Sequence, residues 1–345
     1  VCFCSEECRD EAWTQYHLLE CSILNHILHS RELSKMAWLV YRIVAKAMII
    51  RKEDVSSLKP SPDTPNPFLS DNYNTVWGQV THSIARTPAD MLKRTISAIF
   101  LTSLLQHVIS VKTDEVTMSM VMLRHLQSCS CNAYQITEHI VPEGNIKRSD
   151  EKELGGAVYP TISLCNHSCN PNVVRHSIGR VCVVRAIRNI KTGDEIHDNY
   201  GPHYLSSSRE VRQNLLCTQY FFTCVCDACS NNWPTVEKLN PAAVAYKCTQ
   251  CSAIIGDSIL GLKICPNCNK KIDFNKIAKR LETLSREFNK AVENLLLWRT
   301  SQCLKTCLEY CSLMDSVIVH PNKKIAICQQ AITLSWSLMS NVQNV

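Results

Sequence analysis

The first half of this 345-residue chain shows a helical pattern of hydrophobic and polar positions. Between residues 22 and 130, apolar side chains recur every three or four positions, as in RELSKMAWLVYRIVAKAMII, which predicts amphipathic helices. One helix is predicted to begin with Thr87 as its N-cap and Pro88 in the first helical position. The stretch KPSPDTPNP at 59–67 predicts a loop before that helix.

The pattern changes after residue 130. From 131 to 200, short β-rich runs such as GRVCVVRAI are separated by glycine, asparagine and proline, which predicts short strands. After about residue 275 the helical period returns and runs to the end, where PNKKIAICQQAITLSWSLM resembles the second helix of a helical-repeat pair. We therefore predict an α+β fold that contains both a β-rich core and helical regions.

Composition and charge narrow the class of protein. The net charge of +6 is too small to predict a nucleic-acid partner by itself. The longest apolar runs are shorter than a bilayer span, so we expect no membrane partner. The 21 cysteines stand at short C-x-C and C-x-x-C spacings, which favour metal sites in a reducing compartment over disulfides. We expect a cytoplasmic or nuclear protein, and we discount the NHS glycosylation sequon at 166–168.

Two cysteine groups have the spacing of metal ligands. Two C-x-x-C knuckles separated by thirteen residues have the spacing of a zinc ribbon, and they consist of Cys248, Cys251, Cys265 and Cys268. A second group contains only three thiols, at Cys224, Cys226 and Cys229. Cys169, within the polar stretch CNHSCNPN, either supplies the fourth ligand or packs as a small hydrophobic residue, and spacing alone does not decide between the two.

The beginning of the chain carries two further ligand pairs. Cys4 and Cys8 stand four positions apart, as do His17 and Cys21, so each pair can hold one side of a tetrahedral zinc ion. Each pair requires a second pair to complete a site, and the neighbouring sequence offers only Cys2 as a spare thiol.

Several of these stretches resemble one protein family. NHSCNPN, GDEIHDNYG and CVCDAC resemble the SET domain and post-SET segment of protein-lysine methyltransferases, and CSEECRDEAW resembles the last half of a MYND zinc finger. Together they resemble the SET-and-MYND family, most closely its tetratricopeptide-containing branch. The resemblance is very specific at 159–229, good at 4–21 and loose after 275.

The resemblance implies a domain order and a threaded topology. In the family the asparagine-histidine segment passes through a loop to form a pseudoknot. The implied segments are the second half of a MYND finger at 1–21, a helical linker and SET insert at 22–130, the C-terminal part of the SET core at 131–204, a post-SET segment at 205–230, a zinc ribbon at 231–274 and an incomplete helical, tetratricopeptide-like tail at 275–345.

The resemblance also implies roles for individual residues. It implies catalytic roles for Tyr200, Tyr220 and Ser163. It implies contacts to S-adenosylmethionine from Asn132, Asn166, His167, Tyr200 and Phe222. It implies structural zinc on two sets of residues, namely the MYND ligands Cys4, Cys8, His17 and Cys21 and the post-SET ligands Cys169, Cys224, Cys226 and Cys229.

The implied function is methyl transfer from S-adenosylmethionine to a lysine amine of a protein substrate, in an aromatic channel. The finger and the helical tail would be candidate surfaces for peptide partners. The alternative is a non-catalytic adaptor in which a SET scaffold carries the finger, the ribbon and the helical repeat. Taken without the neighbouring motif, Tyr200 would be a core tyrosine. For Tyr220 and Phe222, ordinary packing beside a zinc knuckle is the alternative to a role in the site.

Two departures from the family pattern bear on the activity of the chain as given. The N-terminal SET segment with its G-x-G cofactor loop and the first two MYND cysteine pairs are absent from this sequence. We therefore expect a fragment of a longer protein, one that binds zinc but binds S-adenosylmethionine weakly and does not transfer methyl groups.

Overall fold

A computed structural model describes residues 2–30, 34–51, 68–69, 72–109, 114–259 and 261–344. The predicted loop at 59–67 lies outside these ranges. The chain divides into two compact units, Val1–Ile136 with Gly155–Leu164 and Thr137–Leu154 with Cys165–Val345. These units are interleaved along the chain, and the segment boundaries implied by the family resemblance stay predictions.

Helices build the first unit, as the three- and four-residue period predicts. They are α1 (Glu6–Gln15), α2 (Leu24–His29), α3 (Lys35–Arg51), α4 (Tyr73–Trp77), α5 (Pro88–Val108) and α6 (Glu115–Asn132). The apolar faces of α3, α5 and α6 share one buried core, which includes Tyr41, Leu101 and Met122. The predicted cap is confirmed, because the Thr87 hydroxyl accepts a hydrogen bond of 3.3 Å from the Asp90 amide.

A buried histidine lies in the core of this unit. His125 on α6 is fully buried, and its Nε2 lies 2.8 Å from the Tyr73 hydroxyl. Burial, with a smaller effect from the neighbouring Arg124, lowers the pKa of His125 from 6.5 to about 3. The imidazole is therefore neutral in the folded protein at any pH above that value.

This histidine predicts a loss of stability in acid. The unfolded chain binds a proton at His125 below pH 6.5 and the folded chain does not, so stability is complete above pH 6.5 and falls as the pH drops toward about 3. At pH 5, His125 should lower the free energy of unfolding by about 2 kcal/mol relative to pH 7.5. Urea unfolding of His125→Gln at both pH values should show a correspondingly smaller loss. Equal losses of stability in wild type and His125→Gln would contradict the prediction.

Short strands appear from residue 133 onward. They are β1 (Ala133–Val141), β2 (Asp150–Val158), β3 (Asn166–His167), β4 (Val173–Ile178), β5 (Val181–Ala186), β6 (His197–Asp198), β7 (Tyr246–Lys247), β8 (Ile254–Gly256) and β9 (Val342–Asn344). One sheet has the order β2-β1-β9, and the remaining strands form the pairs β3-β6, β4-β5 and β7-β8. The mixture of helices and strands confirms the predicted α+β class.

The second unit also contains helices, of which three form the tail. The helices of this unit are α7 (Arg209–Tyr220), α8 (Asp227–Ser230), α9 (Phe274–Leu296), α10 (Thr300–Val317) and α11 (Lys323–Ser337), and the last three form the tail. In the tail α10 packs against both α9 and α11, around an apolar core that includes Phe288, Met314 and Ile332. Among the described residues, no helix has both the length and the hydropathy needed to cross a bilayer.

The end of the chain differs from the helical prediction. The strand β9 pairs in parallel with β1, with Val342 opposite His139. Asn341 directs this arrangement, because its backbone amide donates to the Ser177 carbonyl at 3.1 Å and its side-chain oxygen accepts from the Gly179 amide at 2.7 Å. These contacts join residues more than 160 positions apart, and such long-range bonds override a weak local helical pattern.

Candidate active site and thiol clusters

Hydrogen bonds join the polar stretch CNHSCNPN to the segment GDEIHDNYG. The strands β3 and β6 bring the two segments side by side in a parallel pair. The Ser168 amide donates to the Asp198 carbonyl at 2.8 Å. The Asn172 side chain donates to the Glu195 carbonyl and accepts from the His197 amide, both at 2.8 Å. Buried polar groups require such partners, and the threaded topology itself stays a prediction.

His167 occupies the centre of this region. Its Nδ1 accepts a hydrogen bond of 3.0 Å from the Tyr200 amide, so the ring proton is on Nε2. That Nε2 lies 3.3 Å from the Cys169 sulfur and donates toward it. Burial lowers the pKa of His167 to about 4, so the ring is neutral near pH 7. His167 therefore links the tyrosine on one side to a thiol on the other.

This histidine and three other rings pack together in what we call the aromatic cluster. The cluster consists of His167, Tyr200, Tyr220 and Phe222. The ring centroids of Tyr200 and Tyr220 are 5.0 Å apart, and the Phe222 centroid is 5.9 Å from that of His167. The backbone of Phe221 adopts a left-handed conformation with φ of 63°, which ends α7 and separates Tyr220 on the helix from Phe222 beyond it.

Hydrogen bonds fix both tyrosines of the aromatic cluster. The Tyr200 hydroxyl donates to the Cys165 carbonyl at 2.6 Å. The Tyr220 hydroxyl donates to the backbone carbonyl of Tyr200 at 2.9 Å. Because each hydroxyl proton is committed to a carbonyl, each phenol oxygen can act only as an acceptor toward an approaching group.

Four sulfur atoms lie beside the aromatic cluster. We call this group the Cys169 cluster; its sulfur atoms are all within 4.8 Å of one another, and it consists of Cys169, Cys224, Cys226 and Cys229. The Cys169 side chain is fully buried, and its sulfur is 3.5 Å from that of Cys229. The structure thus places Cys169 where a fourth ligand would stand.

The donor set of the Cys169 cluster fits a zinc ion. Four thiols grouped closely around one point are the donors of a structural tetrahedral zinc site. Hydrogen bonds in which Cys169 donates to Cys224 and Cys226 raise the pKa of Cys169, while those that Cys226 accepts from Cys169 and Cys224 lower the pKa of Cys226. Without a cation the four thiols cannot all ionise together, and a divalent metal removes that conflict.

The helix α7 carries two residues that sequence reasoning missed. Gln213 clasps the backbone of Cys224, because its side chain donates to the Cys224 carbonyl at 2.7 Å and accepts from the Cys224 amide at 3.0 Å. Arg212 is fully buried and directs its guanidinium at the Cys229 sulfur. The sequence gives no signal for Arg212, which stands between Val211 and Gln213 in a segment where no helix was predicted.

A second group, the Cys248 cluster, lies on the β7-β8 hairpin and the turn that follows. Its four sulfur atoms are also within 4.8 Å of one another, and it consists of Cys248, Cys251, Cys265 and Cys268. The two knuckles repeat one geometry: the amides of Gln250 and Asn267 donate to the sulfurs of Cys248 and Cys265, at 3.3 and 3.4 Å. The Asn267 side chain also donates to the Cys251 sulfur at 3.5 Å, and this bond is the main reason that the pKa of Cys251 falls to about 6. These donors favour thiolates, so this cluster fits zinc as well.

The N-terminal pairs do not form a cluster of this kind. The sulfurs of Cys4 and Cys8 are 3.2 Å apart at the beginning of α1. His17 is buried, with its ring centroid 5.6 Å from that of Phe3, whereas Cys21 is exposed. Within the described part of the chain, three or more ligands gather only at the two clusters above. The ligand roles of these four residues stay predictions.

Two of the implied site residues belong to the first unit. The Asn132 amide donates to the Ser128 carbonyl at 2.8 Å and to the Val80 carbonyl at 3.2 Å. The Ser163 hydroxyl donates to the Tyr159 carbonyl at 3.2 Å. Both side chains are thus bonded within their own unit, and their roles in cofactor binding and catalysis stay predictions.

Asn166 belongs to the second unit and is exposed. Its side-chain amide donates to the Glu195 carboxylate at 2.5 Å. Asn166 is the first residue of β3 and directly precedes His167, and its contact with a cofactor stays a prediction.

Comparisons with known proteins agree with this arrangement. The SET domain family model matches residues 9–201 of the chain. Protein-lysine N-methyltransferase SMYD4 of Mus musculus is 28% identical over 401 residues, which cover 98% of this chain and 49% of that protein. Histone-lysine N-methyltransferase ASHR1 of Arabidopsis thaliana is 27% identical over 295 residues, covering 83% and 55%. N-lysine methyltransferase SMYD2 of Homo sapiens is 28% identical over 232 residues, covering 66% and 45%.

The chain spans about half the length of the curated relatives it matches. The matched family region includes the CNHSCNPN stretch, its partner strand β6 and Tyr200. The chain therefore belongs to the SET domain family, and the matched relatives support the resemblance to its SET-and-MYND group.

Proposed function

We propose that the protein containing this chain is an S-adenosylmethionine-dependent protein-lysine N-methyltransferase. One observation carries the proposal. The Tyr200 amide donates a hydrogen bond to the His167 ring, and the Tyr200 hydroxyl donates one to the Cys165 carbonyl. Tyr200 is therefore bonded to both ends of the segment 165–167, to which the resemblance assigns contacts with the cofactor. A tyrosine that only filled a core would not require both bonds to the same three-residue segment. The names of the matched relatives support the same reaction class.

The side chains of the aromatic cluster suit the reaction in two ways. S-adenosylmethionine, when bound, supplies a methyl group that is transferred to a nucleophilic amine. A lysine amine has an ordinary pKa near 10.4, and apolar surroundings that exclude water lower it, which yields the neutral nucleophile. The phenol oxygens of Tyr200 and Tyr220 accept hydrogen bonds from that amine and orient it for in-line transfer.

Zinc has a structural role in this proposal. The Cys169 cluster would hold one ion and thereby fix the turn that leads from α7 to Phe222 and Cys224. The Cys248 cluster would hold a second ion. All 21 cysteines are free thiols, which supports a reducing compartment, and we propose a cytoplasmic or nuclear location on that basis.

The test is methyl transfer by the full-length, zinc-loaded protein. The protein should be incubated with methyl-labelled S-adenosylmethionine and a lysate, followed by mass spectrometry of the labelled proteins. We expect label on lysine side chains. A folded, zinc-loaded protein that labels no lysine would support the alternative, a non-catalytic adaptor built on a SET scaffold.

Substitution at the Cys248 cluster should affect the helical tail. The backbone beside this hairpin is joined to the tail, because Tyr246 pairs with Ile318 and the Val319 amide donates to the Ala245 carbonyl at 2.8 Å. Cys265→Ser should lower the zinc content by about one ion per chain and accelerate proteolysis between residues 245 and 320. Cys217→Ser, an exposed thiol outside both clusters, is the matched control. Unchanged zinc by elemental analysis would remove the Cys248 cluster from the metal sites.

A further inference from the structure

Arg212 is an unusual residue in the second unit. Its side chain has 0% relative exposure, although an arginine carries its charge at any physiological pH. Burying a charge without a counter-charge is strongly unfavourable. Among the described residues no carboxylate pairs with this guanidinium, so its counter-charge must come from another group.

The neighbours of Arg212 identify that group. One terminal nitrogen donates to the Ser207 carbonyl at 2.6 Å. The other lies 3.5 Å from the Cys229 sulfur and 3.3 Å from the Ala228 carbonyl. Two of these three partners are neutral carbonyls, and the third belongs to the Cys169 cluster. The sulfur cluster is therefore the anion that faces the buried cation.

The charge of a loaded cluster explains why a cation is needed there. Four thiolates around one divalent ion carry a net charge of −2, and this charge lies in a buried, low-dielectric region. A guanidinium against one sulfur halves the net charge of the assembly. It also donates a hydrogen bond to the sulfur, as groups around metal ligands commonly do.

We propose that Arg212 is the counter-cation of a tetrathiolate site for a divalent, zinc-like metal at the Cys169 cluster, and that it slows the loss of that metal. The inference rests on the proposed metal site and is independent of methyl transfer. Arg212 acts as a positioning residue, since its guanidinium contacts a sulfur of the cluster and would hold that ligand in place.

A purely structural role would look different. If Arg212 served only to join α7 to the backbone of Ser207 and Ala228, its replacement would weaken the fold without regard to the charge of the cluster. If Arg212 is the counter-cation, the effect of replacing it on zinc retention should depend on how many thiolates the cluster contains. The two roles are therefore separable by changing the arginine and one cysteine independently.

The primary experiment measures zinc transfer from the purified chain to a chromophoric chelator. The described part of the chain contains two four-thiol clusters, so release should occur in two phases, which Cys169→Ser and Cys265→Ser assign. Arg212→Met should accelerate the Cys169-cluster phase about 10–100-fold, the usual effect of removing a group that supports metal ligands. Arg212→Lys keeps the charge, so its rate of zinc release from the Cys169 cluster should lie between the rates of Arg212→Met and wild type. The Cys248-cluster phase should not change and serves as an internal control.

Arg209→Met on the exposed face of the same helix is the matched control and should release zinc like wild type. Equal rates for Arg212→Met and wild type would overturn the proposal. So would an equal acceleration of both phases, because that outcome indicates general loosening of the fold.

A second comparison decides the question if Arg212→Met does not fold. Cys226→His converts the cluster to three thiolates and one neutral imidazole, a common zinc ligand set with a net charge of −1. The double variant Arg212→Met/Cys226→His should then fold and retain its zinc better than Arg212→Met alone. If the second substitution gives no improvement, charge compensation is not the role of Arg212.

Discussion

Replacement of Tyr200 by phenylalanine is expected to lower the rate of lysine methylation by the full-length protein about 10²–10³-fold, the usual cost of removing one preorganised polar group from a desolvated site. The substitution removes the oxygen that would orient the amine and leaves the Cys165 carbonyl without its 2.6 Å donor. The ring contacts with Tyr220 and His167 remain, so the fold and the zinc content should not change. Steady-state rates with the labelled cofactor, measured beside the zinc content, test this expectation.

Tyr204 offers a matched control for this substitution. It is fully buried, and no partner is recorded for its hydroxyl among the described residues. Tyr204→Phe therefore removes the same atom from a position outside the aromatic cluster, and it should leave the methylation rate near the wild-type value. If Tyr200→Phe were as active as Tyr204→Phe, Tyr200 would be a core tyrosine and the proposed site would lose its central residue.

Replacement of Cys169 by serine is expected to remove about one zinc ion per chain and to destabilise the segment around α7 and α8. Structural zinc in small domains contributes about 10–16 kcal/mol of apparent binding free energy, much of which would be lost with one of four ligands. The effect should extend to the aromatic cluster, because the His167 Nε2 loses the sulfur toward which it donates. Elemental analysis gives the zinc content, and hydrogen exchange along residues 205–230 gives the local stability.

The control for this experiment lies four positions earlier in the chain. Cys165 is half-buried and outside both clusters, and only its backbone carbonyl takes part in the site. Cys165→Ser should therefore keep both zinc ions. A Cys169→Ser protein with unchanged zinc would show that Cys169 is a small buried residue and that the remaining three thiols bind the ion without it.

Features with short spacing could be predicted from the sequence. The two knuckles of the Cys248 cluster are local, since each C-x-x-C turn positions both of its sulfurs with little help from the rest of the chain. The same holds for the Thr87 cap, where donor and acceptor are three residues apart. In such cases the chemistry of a few neighbouring residues determines the geometry.

The role of Cys169 could be predicted only in part from the sequence. Its sulfur meets those of Cys224 and Cys229 across 55 and 60 residues, and no local pattern records such a contact. Spacing therefore left two alternatives, and only the resemblance to a known family favoured one of them. The folded chain brings the four sulfurs together.

Arg212 and Asn341 could not be predicted in the same way. A helical period predicts which face of a helix is buried, but it does not predict that the buried face contains a cation directed at a sulfur. Asn341 ends the helical tail through bonds to Ser177 and Gly179, which lie in a distant part of the sequence. Both depend on tertiary contacts that override local preference.

The pairing of β9 with β1 has a consequence for synthesis of the protein. Asn341 bonds to the Thr137 carbonyl across 204 residues, and β9 follows directly. At about 5–20 residues per second, a ribosome needs roughly 10–40 s to synthesise that interval. During this time one edge of β1 lacks its final partner, and unpaired strand edges promote aggregation. Folding of the second unit is therefore expected to finish only after β9 emerges, which makes β1 a natural binding site for chaperones on the nascent chain.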